Sequence, residues 1–311
     1  LTQAPSPAAF ALIWAVIGVA QGACLYEPCF MVVTRAAGAA ARPAITRITL
    51  LAGLASALCF LSTAGMLELA DWRTTLWVFA GAVAFVGAPL LFVGAAMLER
   101  ASPDARPQPG AAAAGRSALF QSLRKLQFWI IAIAFPIMAV NHGMLLNHIM
   151  PILAGRGIDH GVAVLVASTI GPMQVAGRIV LMLLEKRVNS LAMAGVAFGG
   201  VALASSALYF ATGSPALAFL FAILQGGTYG LTSILKPAIT AEFLGRVGFG
   251  LIAGWLALPY LAGSALAPHL GAVLWGAGGY DLVIMSASGL AILGCLCIAG
   301  LAAAGRKPGG G

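Results

Sequence analysis

Three charged side chains stand inside apolar stretches: Glu27 in GACLYEPCFMVV, Arg178 in QVAGRIVLMLL and Lys236 in TSILKPAIT. A charge at the centre of a hydrocarbon layer costs about 2.5–3.5 kcal/mol on insertion scales, so it persists where it faces a partner or a polar cavity. A carboxylate and an ammonium at such a place can pair, separate or exchange a proton, which is the chemistry of a gate or of proton coupling. The guanidinium of Arg178 adds another capacity, because it grips a carboxylate through two parallel hydrogen bonds. Gln174 lies one turn before it, on the same helical face. The competing roles are plain ones: Glu27 bonds a neighbouring helix, Lys236 reaches for the interface with its long stem, and Gly177-Arg178 anchors packing.

A second polar set falls in FWIIAIAFPIMAVNHGMLLNHIMPILAG, which holds Asn141, His142, Asn147 and His148. Helical spacing places Asn141 and His148 on one face and points His142 elsewhere. Histidine titrates near neutrality and suits a relay, and it serves equally as a neutral hydrogen-bonding residue between helices. Asn141 and His148 are the candidate solute contacts of this set. His160 and His269 are expected in loops or at helix ends.

The elements that must hold these residues follow from composition. Hydrophobic residues make up 61% of the 311-residue chain and charged ones only 8%, too few charges to cover a water-facing surface. Lipid offers no hydrogen-bond partners, so apolar segments of about 20 residues are expected as spanning helices. Nine are expected, over Ala8–Thr34, Ile48–Leu67, Thr74–Leu98, Phe128–Ala154, Val162–Leu184, Val188–Thr212, Pro215–Thr240, Val247–Leu274 and Leu282–Ala304. The five cysteines lie inside apolar runs without metal-site spacing and are expected to be small buried hydrophobes.

Basic residues orient these spans. Arg35, Arg42 and Arg47, then Arg100, Arg106, Arg116, Arg124 and Lys125, then Lys186 and Arg187, then Arg246, then Arg306 and Lys307 occupy one set of connections; the alternate set holds Arg73 and Arg156. Positive connections mark the cytoplasmic side, which puts the C-terminus there. Glu27, Arg178 and Lys236 precede such residues by eight, eight and ten positions, roughly 12–15 Å along a helix. All three thus belong to one depth.

The stretch 99–127, with SPDARPQPGAAAAGRS, is expected to be a flexible cytoplasmic linker between a partial N-terminal half, 1–98, and a six-helix half, 128–311. The two halves share a pattern. Gly18-x-x-x-Gly22 precedes Tyr26-Glu27-Pro28 in the first span, and Gly226-x-x-x-Gly230 precedes Leu235-Lys236-Pro237 in the seventh. If that is a duplication, the first span is a fourth helix, three helices are expected upstream, and the whole has twelve spans as 6+6. Gly195-x-x-x-Gly199 is expected to pack closely against another helix, and Trp72, Trp129, Trp275 and Tyr280 to sit at the membrane interface.

With those residues in view, the chain resembles the major facilitator superfamily, whose halves are parallel repeats joined by a cytoplasmic linker. GVAQGACLYEPCFMVVTR, TRITLLAGLAS and DWR are similar to the fourth and fifth helices of bacterial carriers that have an LYEP helix and a GWR turn, with Asp71 in place of that glycine. NHIMPILAGRGI and GPMQVAGRIVLMLLEKR resemble the seventh and eighth helices of monocarboxylate-porter-like members, which carry Asp where this chain has Gln174. The GPxxGG pattern of drug–proton antiporters is absent from the second span. The resemblance implies an all-α membrane protein of major-facilitator type. It further implies a monomeric secondary transporter of the bacterial inner membrane that moves a small organic solute, with coupled protons; Arg178, Lys236 and the histidines make an organic anion the first expectation. It also implies that Glu27 and Lys236 come from opposing halves as gate or coupling residue and countercharge. Drug or sugar carriage, or an inactive truncated fragment, are the alternatives.

Other classes lack their signatures. The net charge of +8 is not gathered into a basic stripe with interleaved aromatics, so no nucleic-acid partner is expected. No GxxxxGKS/T loop, HExxH or GxSxG occurs, nor a TVGYG-like filter. No enzyme activity and no cofactor is expected.

Overall fold

A long apolar stretch satisfies its own backbone hydrogen bonds most completely as a helix. The computed structural model describes residues 6–24, 26–37, 41–101, 110–184 and 187–305, and every regular element among them is helical. The order is α1 Pro7–Cys24, α2 Tyr26–Ala37, α3 Ala41–Leu69, α4 Trp72–Ala82, a π-helical turn Val83–Gly87, α5 Ala88–Ala101, α6 Ala111–Leu123, α7 Leu126–Asn147, α8 Ile149–Gly155, α9 His160–Leu184, α10 Ser190–Tyr209, α11 Pro215–Tyr229, α12 Thr232–Leu244 and α13 Phe249–Gly305.

Among the described residues, six helical stretches are long and apolar enough to cross a membrane: Trp72–Met97, Leu126–Asn147, His160–Leu184, Ser190–Tyr209, Pro215–Leu244 and Phe249–Gly305. The last holds 57 residues, roughly 85 Å if straight, against a hydrocarbon core of about 30 Å. It is not straight. Gly278 and Gly279 leave helical geometry, Gly279 with φ of 71°, a value that L side chains rarely adopt. Two helical arms, 249–277 and 280–305, result. Pro268 lies inside the first arm, and the break falls ten residues later, at the glycine pair.

Other expected spans are interrupted too. The stretch 128–154 breaks at His148, between α7 and α8, and 215–240 tightens at Gly230 and Leu231, between α11 and α12, where both residues keep right-handed helical angles. The expected linker contains a helix, α6, whose Leu119 and Ser122 are buried; its alanine-rich sequence favours helix wherever an apolar side can dock. Residues 102–109 lie outside the described residues. None of the cysteines is buried: Cys24 and Cys59 are exposed, while Cys29, Cys295 and Cys297 are half-buried. In an apolar solvent a thiol gains little by leaving the helix surface.

The chain divides into two compact units, Leu1–Ile45 with Leu54–Ala112 and Thr46–Gly53 with Ala113–Gly311. In the first, α4 starts at Asp71, whose carboxylate accepts from the Thr74 N–H at 2.9 Å and so satisfies a donor that the helix itself cannot. In the second, α7 packs along α13, α10 against α11 and α13, and α9 against α11.

The seam between α9 and α11 is built from missing side chains. A Cβ at Gly177 would collide with the Gly227 carbonyl, and one at Gly226 with the Ile170 carbonyl. One at Gly230 would stand 2.5 Å from the Gln174 carbonyl. The Gly226-x-x-x-Gly230 spacing therefore marks a close helix crossing. Gly195 and Gly199 differ: a Cβ at either meets open space, and the tight neighbour is Gly200, against Thr228. The close contact of α10 thus lies on a different face from Gly195 and Gly199.

Candidate functional site

Five helical segments of the second unit carry polar side chains into one place, and a sixth adds a backbone carbonyl. Asn141 on α7 is fully buried, and its Nδ2 donates to Ser205 Oγ on α10 at 3.1 Å and to the Ala287 carbonyl, in the second arm of α13, at 2.9 Å. A carbonyl can only accept, so the Asn141 amide is oriented with Oδ1 on the opposite side. Facing it is Gln225 on α11, also fully buried, whose Nε2 donates to Asn141 Oδ1 at 3.1 Å and lies 3.3 Å from His142 Nδ1. That geometry makes Nδ1 the acceptor and leaves the ring proton on Nε2. It also leaves Gln225 Oε1 buried with no hydrogen-bond partner. The orphaned acceptor is a consequence of the Ala287 carbonyl, passed on through Asn141.

From this amide pair the polar groups run outward. His142 stacks on Tyr229 of α11, ring centroids 3.5 Å apart and planes 7° from parallel. The Tyr229 hydroxyl lies 3.1 Å from that of Tyr260 in the first arm of α13. Lys236 Nζ on α12 stands 4.3 Å from the Tyr260 ring centroid, within cation–π range. Burial falls along the file, from complete at Asn141 and Gln225 to partial at Tyr229, Tyr260 and Lys236. The file is continuous.

No protein-family model matches this chain, and no curated protein matches it. The assignment of chemistry therefore stands on the geometry.

The candidate residues from the sequence fare differently. Asn141 joins the network and Lys236 its open end. His148 does not. It is the residue after α7, with φ of −108° and ψ of 9°, so the helical spacing that aligned it with Asn141 stops there. Its Nε2 is 3.0 Å from the Pro268 carbonyl, and it packs against Gly271. His142, expected to point away, is the histidine that meets Gln225. Asn147 bonds the Gly143 carbonyl of its own helix. His160 begins α9, as expected of a helix end, whereas His269 is inside α13 and exposed.

Arg178 is buried, and its Nε donates to the Gly230 carbonyl at 3.1 Å, at the point where α11 gives way to α12. This bond carries the packing role that the sequence left open for Arg178. Gln174 is half-buried on the same helix, its backbone pressed against Gly230. Glu27 lies in α2, and its side chain is outside the described residues. Among the described residues, no group of His, Cys, Asp and Glu is arranged to hold a metal ion.

Gln225, Tyr229 and Tyr260 were not singled out from the sequence. Gln225 immediately precedes the Gly226 motif, and an amide inside an apolar, membrane-length helix is itself costly without a partner. That was the available signal.

Proposed function

We propose that this protein is a secondary active transporter for a small organic solute, an organic anion first, working by alternating access in the bacterial inner membrane. The carrying observation is the polar file from Asn141 to Lys236, built across membrane-length helices that otherwise bury apolar side chains. Tyr229, Tyr260 and Lys236 form its accessible end and are the solute contacts. Asn141, His142 and Gln225 hold them from behind. Lys236 supplies the positive charge that an anion needs, and Arg178 steadies the helix break beside it. The nine spans, their correspondence to helices four to twelve of a 6+6 carrier and the cytoplasmic C-terminus belong to the same proposal. The alternation of basic connections and the two arms of α13 support them.

A second solute class has one observation in its favour. The Tyr229 and Tyr260 hydroxyls at the accessible end can both donate to and accept from the hydroxyls of a neutral solute such as a sugar.

Proteoliposomes holding the full-length protein, given an imposed pH gradient and offered labelled acetate, lactate, benzoate or glucose, separate these classes. Saturable uptake of a carboxylate, at least tenfold lower in Lys236→Met and losing its response to the gradient in Glu27→Gln, is the expected result. Glucose uptake insensitive to Lys236→Met moves the assignment to the neutral class. Absence of saturable uptake for every probe removes the proposal.

A further inference from the structure

In the second unit, α6 and the turn between α12 and α13 enclose an open cavity of about 400 Å³, and no residue of the polar file lines it. That volume lies within the range of small-molecule sites. Lys125 and Arg246 line it with Ser117, Gln121 and Ser122, and no acidic residue is among the lining side chains. Its walls are held in place. Gly248 takes φ of 66°, and a Cβ there would stand 2.8 Å from Gly115 Cα, so the turn and α6 touch backbone to backbone. Leu119, on the inner side of α6, is part of the hydrophobic core. The Ser122 hydroxyl donates to the Ala118 carbonyl at 2.8 Å, leaving its lone pairs as acceptors. Two cations, a further hydroxyl and an amide thus line the hollow, a donor set that fits the oxygens of a phosphate.

We propose that this cavity binds a phosphate-bearing anionic group, either the headgroup of an acidic lipid or a soluble phosphate ester. Exposed apolar side chains lie beside the lining residues: Phe120 next to Gln121, Leu126 next to Lys125, and Val247 in the lining itself. Beyond Leu126, Trp129 is exposed and donates from Nε1 to the Leu123 carbonyl at 2.9 Å, the posture of a side chain at a membrane interface. In the lining itself, Leu244 and Val247 stand beside the cations, where the first carbons of an acyl chain would meet them. The proposal does not depend on which solute, if any, the file of polar residues serves.

The test uses the purified full chain. Its affinity for phosphatidylglycerol is measured in phosphatidylcholine nanodiscs of graded phosphatidylglycerol content, and its affinity for glycerol phosphate in detergent. Wild type and Arg124→Ala, which removes a neighbouring cation that does not line the cavity, should bind alike. Lys125→Ala/Arg246→Ala should bind at least tenfold more weakly, and Lys125→Arg/Arg246→Lys should recover most of that loss. Binding in nanodiscs alone identifies the lipid as the source, and binding of glycerol phosphate identifies the soluble ester. Undiminished binding in Lys125→Ala/Arg246→Ala, an equal loss in Arg124→Ala, or no binding of either probe overturns the proposal.

Discussion

Gln225 gives one amide hydrogen to Asn141 Oδ1 at 3.1 Å and in doing so leaves its own Oε1 buried without a donor. Two consequences follow for stability. Leucine at Asn141 strands the Ser205 hydroxyl and one Gln225 amide hydrogen together, and each unsatisfied buried group costs about 1–3 kcal/mol. Asn141→Leu should therefore unfold at clearly lower temperature in detergent. Asn141→Leu/Gln225→Leu should be less destabilised than the sum of the two single variants, because it removes both halves of a buried pair. Strict additivity in a double-mutant cycle would show that the two amides do not interact.

The glycines of the α9–α11 seam should behave unlike those of α10. Gly177→Val drives a branched side chain into the Gly227 carbonyl, and overpacking of a formed interface costs about 1–3 kcal/mol or more. Gly195→Val projects into open space and should leave the yield of folded protein near wild type. Monodispersity after detergent extraction reads both. Equal behaviour of the two would contradict the close crossing.

Arg178→Lys keeps the charge and loses the planar donor that reaches the Gly230 carbonyl. A hydrogen bond from a charged group contributes about 1.5–3 kcal/mol, so the lysine variant should lose thermal stability almost as Arg178→Ala does. Full stability in Arg178→Lys would mean that charge alone suffices at the α11–α12 break.

Asp71 brings a pH dependence outside the spanning segments. Hydrogen bonds to Thr74, first from its side chain and then from its N–H, hold the Asp71 carboxyl below its ordinary value. A lowered native value means that the ionised cap favours the folded helix above the unfolded-state value, and that this contribution disappears as pH falls through the native value. Amide exchange in the first turn of α4 should quicken over that acidic window in wild type. Asp71→Asn should show a flat profile there, since its amide caps without titrating. A window unchanged in Asp71→Asn would assign the effect to another group.

Much of the helical plan was legible because lipid simplifies the rules. A backbone that cannot bond solvent must bond itself, so run length and charge placement located stretches such as His160–Leu184 and Ser190–Tyr209 to within a few residues. The breaks were less legible. The Gly230–Leu231 step lies inside a run of membrane length, and Asn147-His148 interrupts its own run by only two polar residues. Gly278-Gly279 lies in the short gap already expected between the last two spans. The sequence also paired the wrong histidine with Asn141, since an ideal helical wheel continues through His148 and the chain does not.

What the residues alone determined is the class of molecule: a mostly apolar, helical chain with a few polar groups whose desolvation demands partners. Which partners they find was decided by the tertiary structure. Asn141 and Gln225 are 84 positions apart, and Tyr229 meets Tyr260 across 31. Contacts at such separations depend on how helices rotate and cross, and that rotation is set by the glycine seam and the summed packing of many side chains. No local spacing encodes it.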